Sequence, residues 1–114
     1  MHLVTGGTGH IGNVLVRQLL SQGQKVRALV RPGKPPLALQ GLDVEMVPGD
    51  LLDPDSLARA LQGVDVVYHL AARISIATGP DPETERVNLL GTRNLLAVAA
   101  RAPIRRLVYA SSIY

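Results

Sequence analysis

Residues 3–12 read Leu3-Val4-Thr5-Gly6-Gly7-Thr8-Gly9-His10-Ile11-Gly12, and this stretch decides the fold. A short apolar run enters a turn with glycines at 6, 9 and 12, after which Ile11, Val14, Leu15, Leu19 and Leu20 recur at helical spacing. Each glycine has its own physical task. Gly6 permits the tight turn, Gly9 lets backbone approach a pyrophosphate, and Gly12 lets helix and sheet pack closely. His10 and Ile11 stand at the N-terminus of the helix, where free N–H groups and the positive dipole end face an anion. A glycine triplet alone is a weak signal; between a first strand and a first helix it has the context of a nucleotide-binding turn.

Outward from this turn, apolar runs alternate with amphipathic stretches. Gly23 sits where a helix C-cap belongs, Val26–Val30 reads as a second strand closed by Pro32-Gly33, and residues 34–41 read as a surface connection. Val44–Val47 is a third strand ended by Pro48-Gly49, and Asp53-Pro54 opens a helix that runs to about Gln62 and stops at Gly63. Asp65–Leu70 is a fourth strand, a long helix follows from about Pro82 to Ala100, and Arg106–Ala110 is a fifth strand. This alternation predicts βαβ units with right-handed crossovers. The fold class is α/β, a Rossmann-type doubly wound parallel sheet of five strands in the order 3-2-1-4-5, ending before a sixth strand. Ligands are then expected at the carboxyl edge, where the strand order reverses.

Composition narrows the function classes. The 114 residues are the size of one domain, 1–114, and are 46% hydrophobic without Phe, Trp or Cys. The core must therefore come from Leu, Val, Ile and Ala, the usual stock of buried parallel strands. Without cysteine there is no disulfide framework, thiolate metal site or cysteine nucleophile, and a cytoplasmic location is expected. Three histidines without a pair at ligand spacing give no metal site. No apolar run is long enough to span a bilayer, and the N-terminal residues lack the pattern of a signal peptide, so no membrane association is expected. The net charge of +3 permits polyanion binding, but the arginines are scattered and no aromatic stripe accompanies them, so nucleic acid is not an expected partner.

At the end of the second strand such a fold chooses its cofactor. An acid there accepts hydrogen bonds from a ribose 2′-OH, whereas an arginine accommodates a 2′-phosphate. Arg31 follows the second strand, 19 residues beyond Gly12, and no Asp or Glu lies between Met1 and Gln40. NADP is the expected cofactor, with NAD as the alternative. Lys34 is read as a solvated charge, with a contribution to the phosphate site as the alternative.

The turn TGGTGHIG at 5–12 resembles the TGxxGxxG signature of extended short-chain dehydrogenases/reductases, the NAD(P)-dependent epimerase/dehydratase family. Four further segments match in order. Gly49-Asp50-Leu51 resembles the acid-bearing segment after the third strand, which implies that Asp50 accepts a hydrogen bond from the adenine amine. His69-Leu70-Ala71-Ala72 resembles the small-residue run whose backbone passes along the cofactor. Asn88-Leu89-Leu90-Gly91-Thr92 resembles the NxxGT of the long helix, which implies Asn88 near the cofactor and the catalytic centre. Tyr109-Ala110-Ser111-Ser112 resembles the fifth-strand motif whose second serine, here Ser112, belongs to the catalytic set. The arginine-ended second strand and the HLAARISI stretch look closest to the dihydroflavonol-reductase-like and 3β-hydroxysteroid-dehydrogenase-like branch.

The resemblance implies an oxidoreductase moving hydride between nicotinamide and a carbonyl or alcohol substrate. A sugar-nucleotide epimerase or dehydratase and a non-catalytic NAD(P)-binding module are the alternatives. The family's catalysis uses a downstream YxxxK, in which the lysine lowers the pKa of the proton-transferring tyrosine. Lys25 and Lys34 are the only lysines, and neither follows a tyrosine by four residues. The residues present are thus expected to be the N-terminal cofactor portion of a longer enzyme, or a truncated gene product, inactive alone. The small-molecule substrate is expected to bind mainly to a C-terminal part, and a homodimer is open for the whole protein. Plainer roles stand beside these. Asp50 fits a turn cap, Asn88 a back-bond to its helix, and His69 a hydrogen-bonded core histidine; Asp81, Glu83 and Glu85 fit dipole stabilisation. Ser111-Ser112 lacks the hydrolase G-x-S-x-G elbow.

Overall fold

A computed structural model describes residues 1–33, 36–71 and 81–110. Its strands are β1 (His2–Thr5), β2 (Val26–Val30), β3 (Glu45–Pro48), β4 (Val66–His69) and β5 (Arg106–Tyr109). Its helices are α1 (His10–Ser21), α2 (Pro54–Ala60) and α3 (Pro82–Ala99), with one 3₁₀ turn at Leu37–Leu39. All strand pairs are parallel and the order is β3-β2-β1-β4-β5, the order that the alternating pattern predicts. The sheet reverses at β1, between β2 and β4. The register sets Leu29, Thr5, His69 and Tyr109 in one row across the carboxyl edge.

Successive residues of a strand face opposite sides, and Leu3 and Val4 divide the core between them. Val4 packs with Val16 and Leu19 of α1, whereas Leu3 packs with Leu57 of α2 and Leu95 of α3. Both are fully buried, as a central strand covered on two faces requires. The connection from β2 to β3 departs from the expectation of a plain surface loop. Leu39 is 1% exposed and belongs to the α1-side core. The Asn13 side-chain amide donates to the Ala38 carbonyl at 2.8 Å and ties this segment to α1. Among the described residues between β2 and β3 the one helical element is the 3₁₀ turn, and Leu39 supplies the apolar contact from it.

Helix ends follow the local chemistry, with one exception. Asp53 caps α2 by accepting from the Asp55 N–H at 3.2 Å, and Asp81 caps α3 by accepting from the Thr84 N–H at 3.2 Å. Each has proline in its first turn and an acid there as well: Asp55 in α2, Glu83 and Glu85 in α3. The start of α1 has neither a side-chain cap nor an acid. Its other end closes on Gly23 at φ +77°, with the Gln24 N–H donating to the Leu19 carbonyl at 3.0 Å. Pro48, read from sequence as a strand terminator, is the last residue of β3 and pairs with Val30. An edge strand tolerates the missing N–H. No helix among the described residues is long and apolar enough to cross a membrane.

Candidate functional site

The glycine turn closes on itself between β1 and α1. The Gly9 N–H donates to the Gly6 carbonyl at 3.0 Å, and the Asn13 N–H donates to the Gly9 carbonyl at 2.8 Å, starting the helix. Gly6 has φ +80°, and a Cβ there would stand 2.7 Å from the Ala71 nitrogen and the Leu70 carbonyl carbon. Gly6 is thus required both by conformation and by the strand end beside it. A Cβ on Gly12 would collide with the Gly6 carbonyl oxygen and lie 2.6 Å from the Gly6 carbonyl carbon. Gly12 therefore admits a close approach of the helix to the turn's own backbone, a neighbour that the sequence reading did not name.

Gly9 differs. Its backbone is extended, at φ −78° and ψ 172°, and among the described residues a Cβ would meet only the Gly6 oxygen at 3.4 Å. None of the described residues requires a glycine there, which leaves the space beside it open to a ligand as far as they reach. His10 is exposed and Ile11 is 68% exposed, an uncovered apolar side chain beside an uncapped helix N-terminus. The unmet amides of α1 and the open face of Gly9 coincide, which fits an anionic group lying on the backbone.

Along the same edge, Arg31 is exposed immediately beyond β2. Asp50 follows β3, and its carboxylate accepts the Leu52 N–H at 2.9 Å, the turn-capping role that its position allows. The Asp50 N–H donates to Ser56 Oγ at 3.0 Å, which fixes this turn to α2. Leu51 is held against α3: Asn94 donates to its carbonyl at 2.8 Å, and a Cβ on Gly91 would stand 3.0 Å from the Leu51 Cβ. Asn88 is half-buried on α3, one helical turn before Thr92. Ala72, Lys34 and Ser112 lie outside the described residues.

Sequence reasoning missed the polar cluster beneath this edge. Thr5 is fully buried, and its Oγ1 lies 2.7 Å from His69 Nδ1 while accepting the N–H groups of Leu70 and Ala71 at 3.1 Å each. His69 is 1% exposed, and its Nε2 lies 3.0 Å from Thr92 Oγ1. The imidazole stacks on the Tyr109 ring with centroids 5.4 Å apart. Because Thr5 Oγ1 already accepts two backbone donors, its own proton points to Nδ1. The ring is then the Nε2–H tautomer donating to Thr92. Burial pushes the His69 pKa below the ordinary imidazole value. His69 is therefore the neutral, hydrogen-bonded core histidine of the plainer reading. The one clue in the sequence is that Thr5 and His69 both end their strands at the ligand edge.

The family model described as NAD dependent epimerase/dehydratase family matches residues 2–114. The chain is 51% identical over 110 residues to sterol demethylase protein B of Methylococcus capsulatus, covering 96% of this chain and 34% of that protein. It is 49% identical over 110 residues to a Synechocystis protein provisionally named dihydroflavonol 4-reductase, covering 96% of this chain and 32% of that protein. Among solved structures, UDP-glucose 4-epimerase of Thermus thermophilus in complex with NAD superposes with a TM-score of 0.84 at 34% identity, over 97% of this chain and 37% of the other. The chain spans about a third of the length of these relatives.

Proposed function

Because this chain belongs to the NAD dependent epimerase/dehydratase family, we propose that it binds NADP across the carboxyl edge of its sheet, as the cofactor portion of an oxidoreductase acting on a carbonyl or alcohol carbon. The observation that carries this reading is the coincidence of the uncapped α1 N-terminus with the open face of Gly9, while α2 and α3 are both capped by aspartate. A pyrophosphate supplies the missing acceptors and the missing negative charge at one stroke.

In this reading Gly6, Gly9 and Gly12 shape the phosphate turn, the amides of His10 and Ile11 face the pyrophosphate, and Arg31 meets the 2′-phosphate. Asp50 accepts from the adenine amine through the carboxylate that also caps its turn, and Leu51, Leu70, Ala71 and Ala72 line the passage. Asn88 stands toward the nicotinamide end, and Ser112 donates to the substrate carbonyl. The nicotinamide supplies or accepts the hydride when bound. The likeness to a UDP-glucose 4-epimerase supports a second reading, a sugar-nucleotide epimerase or dehydratase, which would use the same cofactor half.

The choice of NADP over NAD rests on Arg31 and on the absence of acid from Met1 to Gln40. It is tested by titrating the protein with NADPH and NADH and repeating both on Arg31→Asp. The expected result is at least a ~10-fold preference for NADPH, about 1.4 kcal/mol, which collapses in the variant. Equal affinities in the wild type, or a preference that survives the substitution, would reject Arg31 as the 2′-phosphate reader.

A further inference from the structure

Three separate parts of the proposed site meet at one buried ring. Thr5 ends β1 and opens the glycine turn, Leu70 and Ala71 continue β4 along the cofactor passage, and Thr92 lies one helical turn beyond Asn88 on α3. His69 bonds Thr5 at 2.7 Å and Thr92 at 3.0 Å, while Thr5 holds the Leu70 and Ala71 amides at 3.1 Å. The contact between the two strand ends has no slack, since a Cβ at Gly6 would lie 2.7 Å from the Ala71 nitrogen. We infer that neutral His69 is a positioning residue for dinucleotide binding: it locks the glycine turn, the Leu70–Ala71 strand end and the Asn88-bearing face of α3 together, and its protonation releases them. This inference rests on the dinucleotide reading above.

The chemistry of the cluster makes the lock sensitive to one proton. An imidazolium has N–H donors at both nitrogens. Its new Nδ1–H would point at Thr5 Oγ1, whose lone pairs already receive two backbone N–H groups. Either the Thr5–His69 bond opens or Thr5 Oγ1 releases Ala71, with Leu70 left on the Thr5 carbonyl at 3.1 Å, and each outcome moves a wall of the site. Among the described residues the groups around the ring offer no compensation. β1 presents Thr5, α3 presents Thr92, and β5 presents the Tyr109 ring at a 17° interplanar angle, none of them a carboxylate. Among the described residues burial alone sets the direction in which the pKa moves, downward, without an ion pair to hold the charged form. Because Asn88 and Thr92 share one face of α3 at i, i+4 spacing, a movement of the helix at Thr92 also carries Asn88.

The test joins two measurements. Long-range ¹H–¹⁵N correlation spectra of the imidazoles read the His69 tautomer and its titration, and NADP⁺ and NAD⁺ titrations from pH 8 to pH 5 read the coupling, with circular dichroism following the fold. The 2′-phosphate of NADP⁺ titrates near pH ~6 in every arm, so the difference between wild type and variant is read, and NAD⁺ has no such group. The expected result is an Nε2–H tautomer at pH 7 and affinity falling about tenfold per pH unit below the imidazole pKa. His69→Gln, which keeps an N–H for Thr92, should bind more weakly at pH 8 and lose the steep pH dependence. Thr92→Val should weaken binding and keep the dependence; it serves with the wild-type spectra if His69→Gln does not fold. An Nδ1–H or charged ring at pH 7, or binding by the folded wild type with the same pH profile as His69→Gln, would overturn the inference. Folded wild type that binds neither nucleotide at any pH would instead overturn the dinucleotide reading, and the inference with it.

Discussion

Replacing Gly12 with alanine tests the tightest contact of the glycine turn. The new methyl would collide with the Gly6 carbonyl oxygen and stand 2.6 Å from the Gly6 carbonyl carbon and 3.1 Å from the Gly7 Cα. All three are backbone atoms, so no rotamer change relieves the overlap, and α1 must move away from the turn. Overpacking of this kind costs about 1–3 kcal/mol, and the purely backbone neighbours place Gly12→Ala at the upper end. Against this stands a gain of about 1 kcal/mol, because alanine is a better helix residue than glycine. The net loss is about 2 kcal/mol, or roughly 8 °C in Tm at about 4 °C per kcal/mol for a domain of this size. Urea unfolding followed by circular dichroism measures it as a lower midpoint at unchanged slope. Gly91→Ala is the companion variant, since its nearest neighbours among the described residues are Leu51 side-chain atoms, the Cβ at 3.0 Å first, and a shift of a few tenths of an ångström relieves that contact. Its change should stay within about 1 kcal/mol, the size of the helix-propensity gain. A Gly12→Ala protein as stable as wild type would refute the close approach of helix and turn.

Other consequences follow from the buried cluster. Thr5→Val keeps the shape of the side chain but deprives the Ala71 amide and His69 Nδ1 of their partner, while the Leu70 N–H keeps the Thr5 carbonyl at 3.1 Å; at about 1–3 kcal/mol per unsatisfied buried group, the urea midpoint should fall by the equivalent of at least ~2 kcal/mol. The His69 pKa is lowered on folding, so the unfolded chain takes up the proton first as the pH falls. Stability from this group should be full above the unfolded value of 6.5 and decline as the pH drops below it toward the folded pKa. Thermal melts between pH 8 and pH 5 on wild type and His69→Gln check this, and an equal acid dependence in both would count against it.

What the sequence makes legible here is local. The tight turn at Gly6, the aspartate cap at Asp53 and the C-terminal cap at Gly23 all depend on residues within a few positions of one another, and strand order follows from the alternation of elements. Long-range partnerships are another matter. Thr5 and His69 are 64 positions apart, and only the parallel register of β1 with β4 puts them side by side. Leu39 reads as part of a proline-flanked loop, yet the gap left between β2 and β3 draws it into the core. For Gly12 the requirement for glycine is evident from the motif, but its neighbour is not. The helix leans on the turn's own backbone, a contact that depends on the exit angle of the chain after Gly6. Arg31 is legible as a charge after β2, and it is exposed immediately beyond that strand.

Gly9 offers the most direct measurement, because among the described residues nothing in the protein requires it to be glycine. Gly9→Asp places a good N-cap and a favourable charge at the start of α1, whose backbone at φ −78° and ψ 172° accepts the residue. The same carboxylate would occupy the space proposed for the pyrophosphate and repel it, a like-charge juxtaposition that costs several kcal/mol. Calorimetric titration with NADP⁺, beside a thermal melt, reads both effects in one variant. A Tm equal to or above wild type with affinity lost about 100-fold, ~2.8 kcal/mol, is the predicted result; unchanged affinity in the folded variant would contradict a dinucleotide lying on this turn.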